Sequence, residues 1–370
     1  MSWHQEGQVR FQVGSAFYRP TSQLARDLGV LAAAIAQQNH GQLRVLDVTT
    51  GCGVRALRYG VESQATWIWA NDANPEVAAT LSQNLAPLGS GVRTTHWSAN
   101  QVFFDCHQRQ DYYDLVDLDN FGSPAAHLSA CLQATRLGGL IYLTSTDSRN
   151  VAGHDPEASL RHYGAYARSH PAAQEQGLRL LIGAVLQQAM MQGWTVQPIF
   201  SLFQGQIYRV MVQLTTQPAV LEHQGFLGHC HACGHYQTVG WRGLSRAHCP
   251  AHAIPEPLTL SGPMWLGSLH DLSWLERMAR LAQAWDWPTH VTLLRLMQAE
   301  AELPPYFFTL AEIGRRGKMD IPGRDLLIQT LQAQGYVASP THIDPQAIKT
   351  TAPFETCLQI AKQLGIRTPD

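Results

Sequence analysis

At 370 residues the chain is long enough for two domains that each bury a core. Its net charge of −2 gives no composition-level signal for a polyanionic partner, and the short basic cluster Arg315-Arg316-Gly317-Lys318 reads equally well as a solvated helix end. No run approaches the roughly 18 uncharged apolar residues of a membrane span, and Met1-Ser-Trp-His-Gln-Glu6 lacks the basic-then-apolar pattern of a secretion signal, so a cytoplasmic protein without a membrane partner is expected.

In chain order, Phe11-Gln-Val-Gly-Ser-Ala-Phe17-Tyr18-Arg19-Pro20 leads into a helix marked by Leu24, Leu28, Leu31 and Ile35 at helical spacing. Arg26-Asp27 is expected on the polar side of that helix. Leu43 to Tyr59 reads as a buried strand, a turn carrying Gly51 and Gly53, and a helix from Val54. Glycines there let the backbone approach a ligand, and the helix start offers free N–H groups. Ala65-Thr-Trp-Ile-Trp-Ala-Asn-Asp72 is an apolar strand ending in an acid, about twenty residues past the glycines, where nucleotide-binding α/β sheets hold ribose hydroxyls. Asn74-Pro75-Glu76 opens the next helix. NAD and flavin enzymes share this layout, but no third glycine completes their fingerprint. Asp47-x-x-x-Gly51-x-Gly53 resembles more closely the S-adenosylmethionine loop of class I methyltransferases.

Ala99-Asn100 follows a third short strand, at the edge where an adenine ring would lie. The stretch Asp114-Leu-Val-Asp-Leu-Asp119-Asn-Phe121-Gly-Ser-Pro124 reads as a strand that stops abruptly in a turn. Ligands sit at the carboxyl ends of strands in open α/β sheets, and an acid beside an exposed aromatic there can hold a nucleobase. An Asx-turn at a strand end explains the same residues without a ligand. Gly138 to Asp147 is another buried strand, and Val210-Met-Val-Gln-Leu214 reads as the last one. Strands alternating with helices give a doubly wound, Rossmann-like α/β sheet. Thr215-Thr-Gln-Pro218 is a linker, which divides the chain into domains at 1–218 and 219–370.

In the second half, Cys230-His-Ala-Cys233 and Cys249-Pro-Ala-His252 form two ligand pairs with knuckle spacing. In a reducing compartment such pairs suggest a small zinc-ribbon-like site rather than disulfides. His252 has the spacing of a fourth ligand, with His229, His231, His235 and His248 as alternatives. Cys52, Cys106, Cys131 and Cys357 read as packing residues. Residues 270–370 read as an α+β domain in which the helix Leu326–Leu331 ends at a cap formed by Gly335.

Taken in order, several stretches resemble the tRNA (guanine-26-N2)-dimethyltransferases. They are Phe17-Tyr18-x-Pro20 with Arg26-Asp27; Gly53-x-Arg55-Ala-Leu-Arg58-Tyr59; Asn71-Asp72-x-x-Pro75-Glu76; Asp117-x-Asp119-x-Phe121-Gly-Ser-Pro124; Thr144-x-Thr-Asp147; and Arg161-x-Tyr163-Gly164 with Glu175-x-Gly-Leu-Arg179. Gly262-Pro-Met-Trp-Leu-Gly267 and Thr341-His342 with Ile348-Lys349-Thr350 extend the resemblance through most of the chain. It implies methyl transfer from S-adenosylmethionine to the exocyclic N2 of a guanine in tRNA, by a monomer with no DNA partner. It further implies that Asp119 accepts hydrogen bonds from the guanine edge while Phe121 and Phe17 stack the extruded base. Cofactor contacts would come from Arg26, Asp47, Gly51, Gly53, Arg55, Asp72, Ala99 and Asp119, and a winged-helix-like module would grip the tRNA. The chain departs from the family pattern at Asn120, where the family has proline, at Ser98, where it has Asp, and at Pro340, where it has Arg. Competing readings are an RNA amino-methyltransferase acting on another base, and a catalytically silent, zinc-dependent RNA-binding protein.

Overall fold

The computed structural model describes residues 2–218, 220–321 and 323–365, so the domain bounds expected at 1, 219 and 370 lie outside the described residues. The chain opens with an antiparallel hairpin of β1 (Trp3–Glu6) and β2 (Val9–Gln12). Helix α1 (Gln23–His40) follows and ends at Gly41, whose φ of 71° provides the left-handed cap. Strands and helices then alternate as β3 (Arg44–Asp47), α2 (Val54–Val61), β4 (Trp67–Asn71), α3 (Ala78–Leu85), β5 (Val92–Thr95), α4 (Ala99–Arg109), β6 (Tyr113–Leu118), α5 (Leu128–Ala134) and β7 (Thr135–Ser145). Helices α6 (Ser148–Val151), α7 (Pro156–Tyr163) and α8 (Ala173–Met190) precede the hairpin of β8 (Thr195–Gln204) and β9 (Ile207–Thr215).

These strands form one seven-stranded sheet in the order β5-β4-β3-β6-β7-β9-β8. The first five are parallel, and β9 and β8 join antiparallel. This is the doubly wound, Rossmann-like sheet expected from the sequence. The chain moves outward from β3 in one direction, then returns to β6 and moves outward in the other. The loops after β3 and β6 therefore splay apart over a shared crevice, the place where such sheets bind ligands. The last strand of the sheet starts at Ile207 rather than Val210, and it lies inside the sheet rather than at its edge.

Every residue of β6 is buried, so its acids alternate between two covered faces rather than between core and water. Each acid has dedicated donors. Asp114 accepts from the Arg44 backbone N–H at 2.8 Å and from Arg136 at 2.7 Å, and Asp117 accepts from Arg55 and Tyr59, both at 2.6 Å. The placement of Arg26-Asp27 on a polar helix side needs correction, because both side chains are buried. The N-terminal hairpin covers that side of α1 and supplies Glu6 as the partner of Arg26, while Arg58 of α2 bonds Asp27.

Beyond Pro218, β10 (Gln224–His229), β11 (Tyr236–Val239) and β14 (Thr259–Trp265) form a small sheet, with β12 (His248–Cys249) and β13 (Glu256–Pro257) as a separate ribbon. Helices α9 (Leu272–Ala284) and α10 (Pro288–Glu300) follow, then β15 (Phe308–Thr309), α11 (Leu310–Gly317), α12 (Arg324–Ala333), β16 (Ala338–Pro340), β17 (Ala347–Thr350) and α13 (Phe354–Gly365). Gly335, with φ 87°, follows α12 where the glycine cap was expected. The apolar interior is continuous across Thr215–Pro218. One cluster runs from Trp69 and Leu181 to Met264 and Phe354, and a second joins α1 to Leu275 and Met278 of α9. Among the described residues, no helix is long and apolar enough to cross a membrane.

Candidate functional site

A cavity of about 400 Å³ opens at the β3/β6 crevice. Its first wall is the turn between β3 and α2, lined by Thr49, Thr50, Gly51 and Cys52. Gly53, with φ 84°, caps α2, and a Cβ there would lie 2.7 Å from Leu81 Cδ1, so both the turn and the packing require glycine. Asp72, just past β4, accepts from the Gly51 N–H at 2.8 Å through Oδ2 and from the Asn74 N–H at 2.9 Å through Oδ1. Held from both sides, its carboxylate keeps spare lone pairs facing the cavity, as hydroxyl recognition needs. Asp47 lies beneath the turn, fully enclosed, and accepts from Thr50 Oγ1 at 2.6 Å. Burial and the neighbouring Asp117 charge push its carboxyl up to about 8. Its position makes it a brace for the turn, and neither it nor Gly53 nor Ala99 lines the cavity. Ala99 starts α4, where Ser98 and Gln101 form a reciprocal cap. At the Ser98 departure, the hydroxyl is thus committed to the helix end.

The opposite wall is the loop after β6. Asp119, 30% exposed, is ion-paired with Arg55, whose other arm reaches Asp117 at 2.6 Å. Burial opposes ionisation of Asp119, yet the Arg55 and Arg209 guanidiniums and the Thr144 hydroxyl hold its carboxyl below the usual carboxylate range. Asp119 is therefore an ionised, acceptor-only group at neutral pH. Arg26 also lines the cavity, but its fork is engaged by Glu6 and by the Arg19 carbonyl at 3.2 Å. Neither arginine is a surface ion pair.

Phe17 and Phe121 stand at the mouth, 67% and 72% exposed, with ring centroids 5.0 Å apart at 69°. A planar ring held between them needs roughly 7 Å, twice the carbon contact distance, so one ring must swing aside to admit it. Asn120, at the position where the resembled family has proline, donates through Nδ2 to the Phe121 carbonyl at 2.9 Å and to the Ser123 carbonyl at 3.1 Å. These bonds pin the loop in place of a ring-fixed φ.

Sequence reasoning missed Ser22, Ile207 and Arg209 and gave Thr144 and Thr146 no role beyond their place in a motif, yet all five line the cavity. Arg209 carried a signal: it is a single charge within the apolar run Ile207-Tyr-Arg-Val-Met-Val212, but starting the strand at Val210 left it out. It is 2% exposed, and burial lowers its affinity for a proton.

In the second half, the Cys230, Cys233 and Cys249 sulfurs and a His252 nitrogen lie within 4.8 Å of one another. Of the histidines left open by spacing, this group includes His252 alone. Three thiols and one imidazole are a donor set that suits a tetrahedral divalent metal. Arg316 donates to the carbonyls of His231 and Ala232 at 2.8 and 2.6 Å and so braces this knuckle, while Arg315 pairs with Glu312 at the surface and Lys318 is exposed. His270, Glu300 and His342 also converge. There the Ser201 N–H donates to His270 Nδ1 at 3.4 Å and His342 Nδ1 bonds Glu300, joining α10 to the loops after β14 and β16, while His270 Nε2, His342 Nε2 and one Glu300 oxygen are buried without a hydrogen-bond partner among the described residues.

The family model for N2,N2-dimethylguanosine tRNA methyltransferases matches residues 4–362. The chain is 30% identical to the tRNA (guanine(26)-N(2))-dimethyltransferase of Thermococcus kodakarensis, over 94% of this chain and 93% of that protein. It is 28% identical to the protein of the same name from Archaeoglobus fulgidus, over 98% and 99% of the two chains. Among solved structures it resembles Trm1 from Pyrococcus horikoshii in complex with S-adenosyl-L-methionine, with a TM-score of 0.84 and 25% identity over 97% of this chain and 99% of that one.

Proposed function

The chain belongs to the N2,N2-dimethylguanosine tRNA methyltransferase family, and we propose that it transfers methyl groups from S-adenosylmethionine to the exocyclic N2 of guanine 26 in tRNA, with Asp119 as the acceptor that orients the amine. The observation that carries this reading is the ionised Asp119 carboxylate, set between the glycine turn and two exposed phenylalanines in one cavity. The bound cofactor supplies an electrophilic sulfonium methyl. Asp72 and the Thr50–Gly51 backbone would hold its nucleoside end, and Arg26 and Arg55 would face its carboxylate.

The guanine amine is a poor nucleophile because its lone pair is delocalised into the ring. Asp119, by accepting the N2–H and N1–H groups, localises that pair on nitrogen as the N–C bond forms and the S–C bond breaks. A carboxylate held below its usual range cannot deprotonate the neutral amine. It can take the proton that the methylated, cationic nitrogen releases. Phe121 and Phe17 stack the base once it leaves the tRNA helix, a contact worth roughly 1–3 kcal/mol per ring. Residues 219–370 hold the tRNA body, with the exposed Arg242 and Arg246 available to its phosphates. The test is tritiated methyl transfer to unmodified tRNA transcripts with nucleoside analysis. Label in N2-methylated guanosine that vanishes when guanine 26 is replaced supports the reading, and label on adenosine refutes it.

Two further expectations arise here. Asn120→Ala removes two loop hydrogen bonds and should lower kcat on the order of 10-fold, with cofactor affinity unchanged by calorimetry. Cys230, Cys233, Cys249 and His252 should hold one structural zinc. Among the described residues the fully buried cluster around them is Cys230, Val239, Cys249 and Leu258, with Phe226, Leu244, Ala247 and Leu260 half-buried against it, a small apolar core for ordering the ribbon without a metal. Elemental analysis should find one zinc per chain, and Cys249→Ser should lose it with a melting midpoint roughly 5 °C or more lower.

A further inference from the structure

We infer that Arg209 reads the O6 carbonyl of the target guanine and so sets base specificity, an inference that rests on the reading of Asp119 as the acceptor for guanine's N–H groups. Along its pairing edge guanine presents N2–H, N1–H and then O6, two donors followed by an acceptor. Asp119 can satisfy only the donors. The O6 position needs a donor, and among the buried arginines lining the cavity Arg209 is the one with no carboxylate partner among the described residues. Arg26 pairs with Glu6 and Arg55 with Asp117 and Asp119, both towards the β3 side, and Arg19 is exposed at the mouth.

Arg209 is buried and forms no ion pair among the described residues. One arm donates to Ser22 Oγ at 3.1 Å, and its Nε is enclosed without any acceptor. A buried guanidinium left this way is costly, and an incoming carbonyl oxygen would offset part of that cost.

The strand order supports the assignment. The cofactor turn follows β3, Asp119 follows the adjacent β6, and Arg209 lies on β9, two strands further on and paired with Thr144 of β7. The base runs in the same sequence, with the methylated N2 towards the methyl donor, N1 at Asp119, and O6 beyond it. An adenine would place a second donor against the guanidinium and be rejected. The carboxylate of the methyl donor is the other acceptor that could reach an arginine here, but on the proposed reading it would lie on the β3 side, by Arg26 and Arg55.

The experiment compares kcat/KM for tRNA transcripts carrying guanosine or 6-thioguanosine at the target position, which differ only in the acceptor at C6. The wild-type enzyme should prefer guanosine roughly 10-fold. Arg209→Met should lose on the order of 10- to 100-fold on guanosine and bring the two substrates within about twofold of each other. Cofactor affinity by calorimetry and the melting midpoint report whether the variant is intact. If Arg209→Met does not fold, Arg209→Lys, which keeps a donor but not the fork, carries the comparison and should retain the guanosine preference at a reduced rate. A variant that weakens cofactor binding with the preference unchanged would overturn the inference, as would full activity in Arg209→Met. Absence of N2 methylation by the wild-type protein would remove the reading beneath it, an outcome distinct from either.

Discussion

Asp119→Ala should lower kcat/KM for methyl transfer to tRNA by on the order of 1,000-fold while cofactor binding stays measurable by calorimetry. The size of the effect follows from the role proposed for the carboxylate. Without an acceptor, the guanine amine keeps its lone pair in the ring, and its orientation towards the methyl group is no longer set. The fold should survive, because Arg55 keeps its second partner, Asp117, at 2.6 Å. Asp119→Asn is the sharper probe. It preserves volume but presents an N–H to one of the guanine N–H groups, so it should be nearly as inactive. The pH profile has a definite sign. The active form is the carboxylate, present above its lowered pKa and lost as the pH falls through it. Activity attributable to Asp119 should therefore stay flat from neutral pH down through the ordinary carboxylate range and decline only below it. A profile that falls between pH 6 and 5 would assign the titration to another group.

The elements that carry Asp119 could be read from the sequence because their signals are local. A run of buried residues ending in Asn-Phe-Gly-Ser-Pro can hardly be anything but a strand that stops, and two glycines ahead of Val54 mark a turn that opens a helix. Asp72 followed from its distance to those glycines. What the sequence could not show depends on partners brought together by the fold. Arg26 and Asp27 look like a solvent-facing pair until Glu6, 20 residues earlier, and Arg58, 31 residues later, close over them. Arg209 meets Ser22 across 187 residues, and no periodicity reports such a contact. For the metal group, spacing narrowed the fourth ligand to several histidines. The path of β12 and the turn after it brings His252 to the three cysteines, while His229 packs instead between His170 and Tyr236.

Arg58→Ala should be among the most destabilising single substitutions in the chain, costing about 3–5 kcal/mol and lowering the melting midpoint by on the order of 10 °C. Arg58 is fully buried, with Nε and Nη2 each 2.9 Å from Glu62 and Nη1 bonded to Asp27 and, at 3.3 Å, to Glu6. Removing it leaves three interior carboxylates with fewer cations than they need. Arg26 remains on Glu6 and His290 on Asp27 at 2.8 Å, but Glu62 loses its bidentate partner. Arg58→Lys should recover little, since an ammonium cannot replace a fork that spans three acids. Burial raises the proton affinity of Asp27, but His290 and Arg58 outweigh it and hold the carboxyl below its usual range. The stability this contributes is present above the ordinary carboxylate pKa and is lost as the pH falls through the lowered one. Without Arg58, acid unfolding should begin at a higher pH. The same cluster ties the N-terminal hairpin, α1, α2 and α10 together, and α1 and α2 carry Arg26 and Arg55, which line the candidate-site cavity. Loss of stability should therefore bring a raised KM for S-adenosylmethionine even at temperatures where the variant is folded. An unchanged melting midpoint would show that the buried charges are not what holds that wall of the site in place.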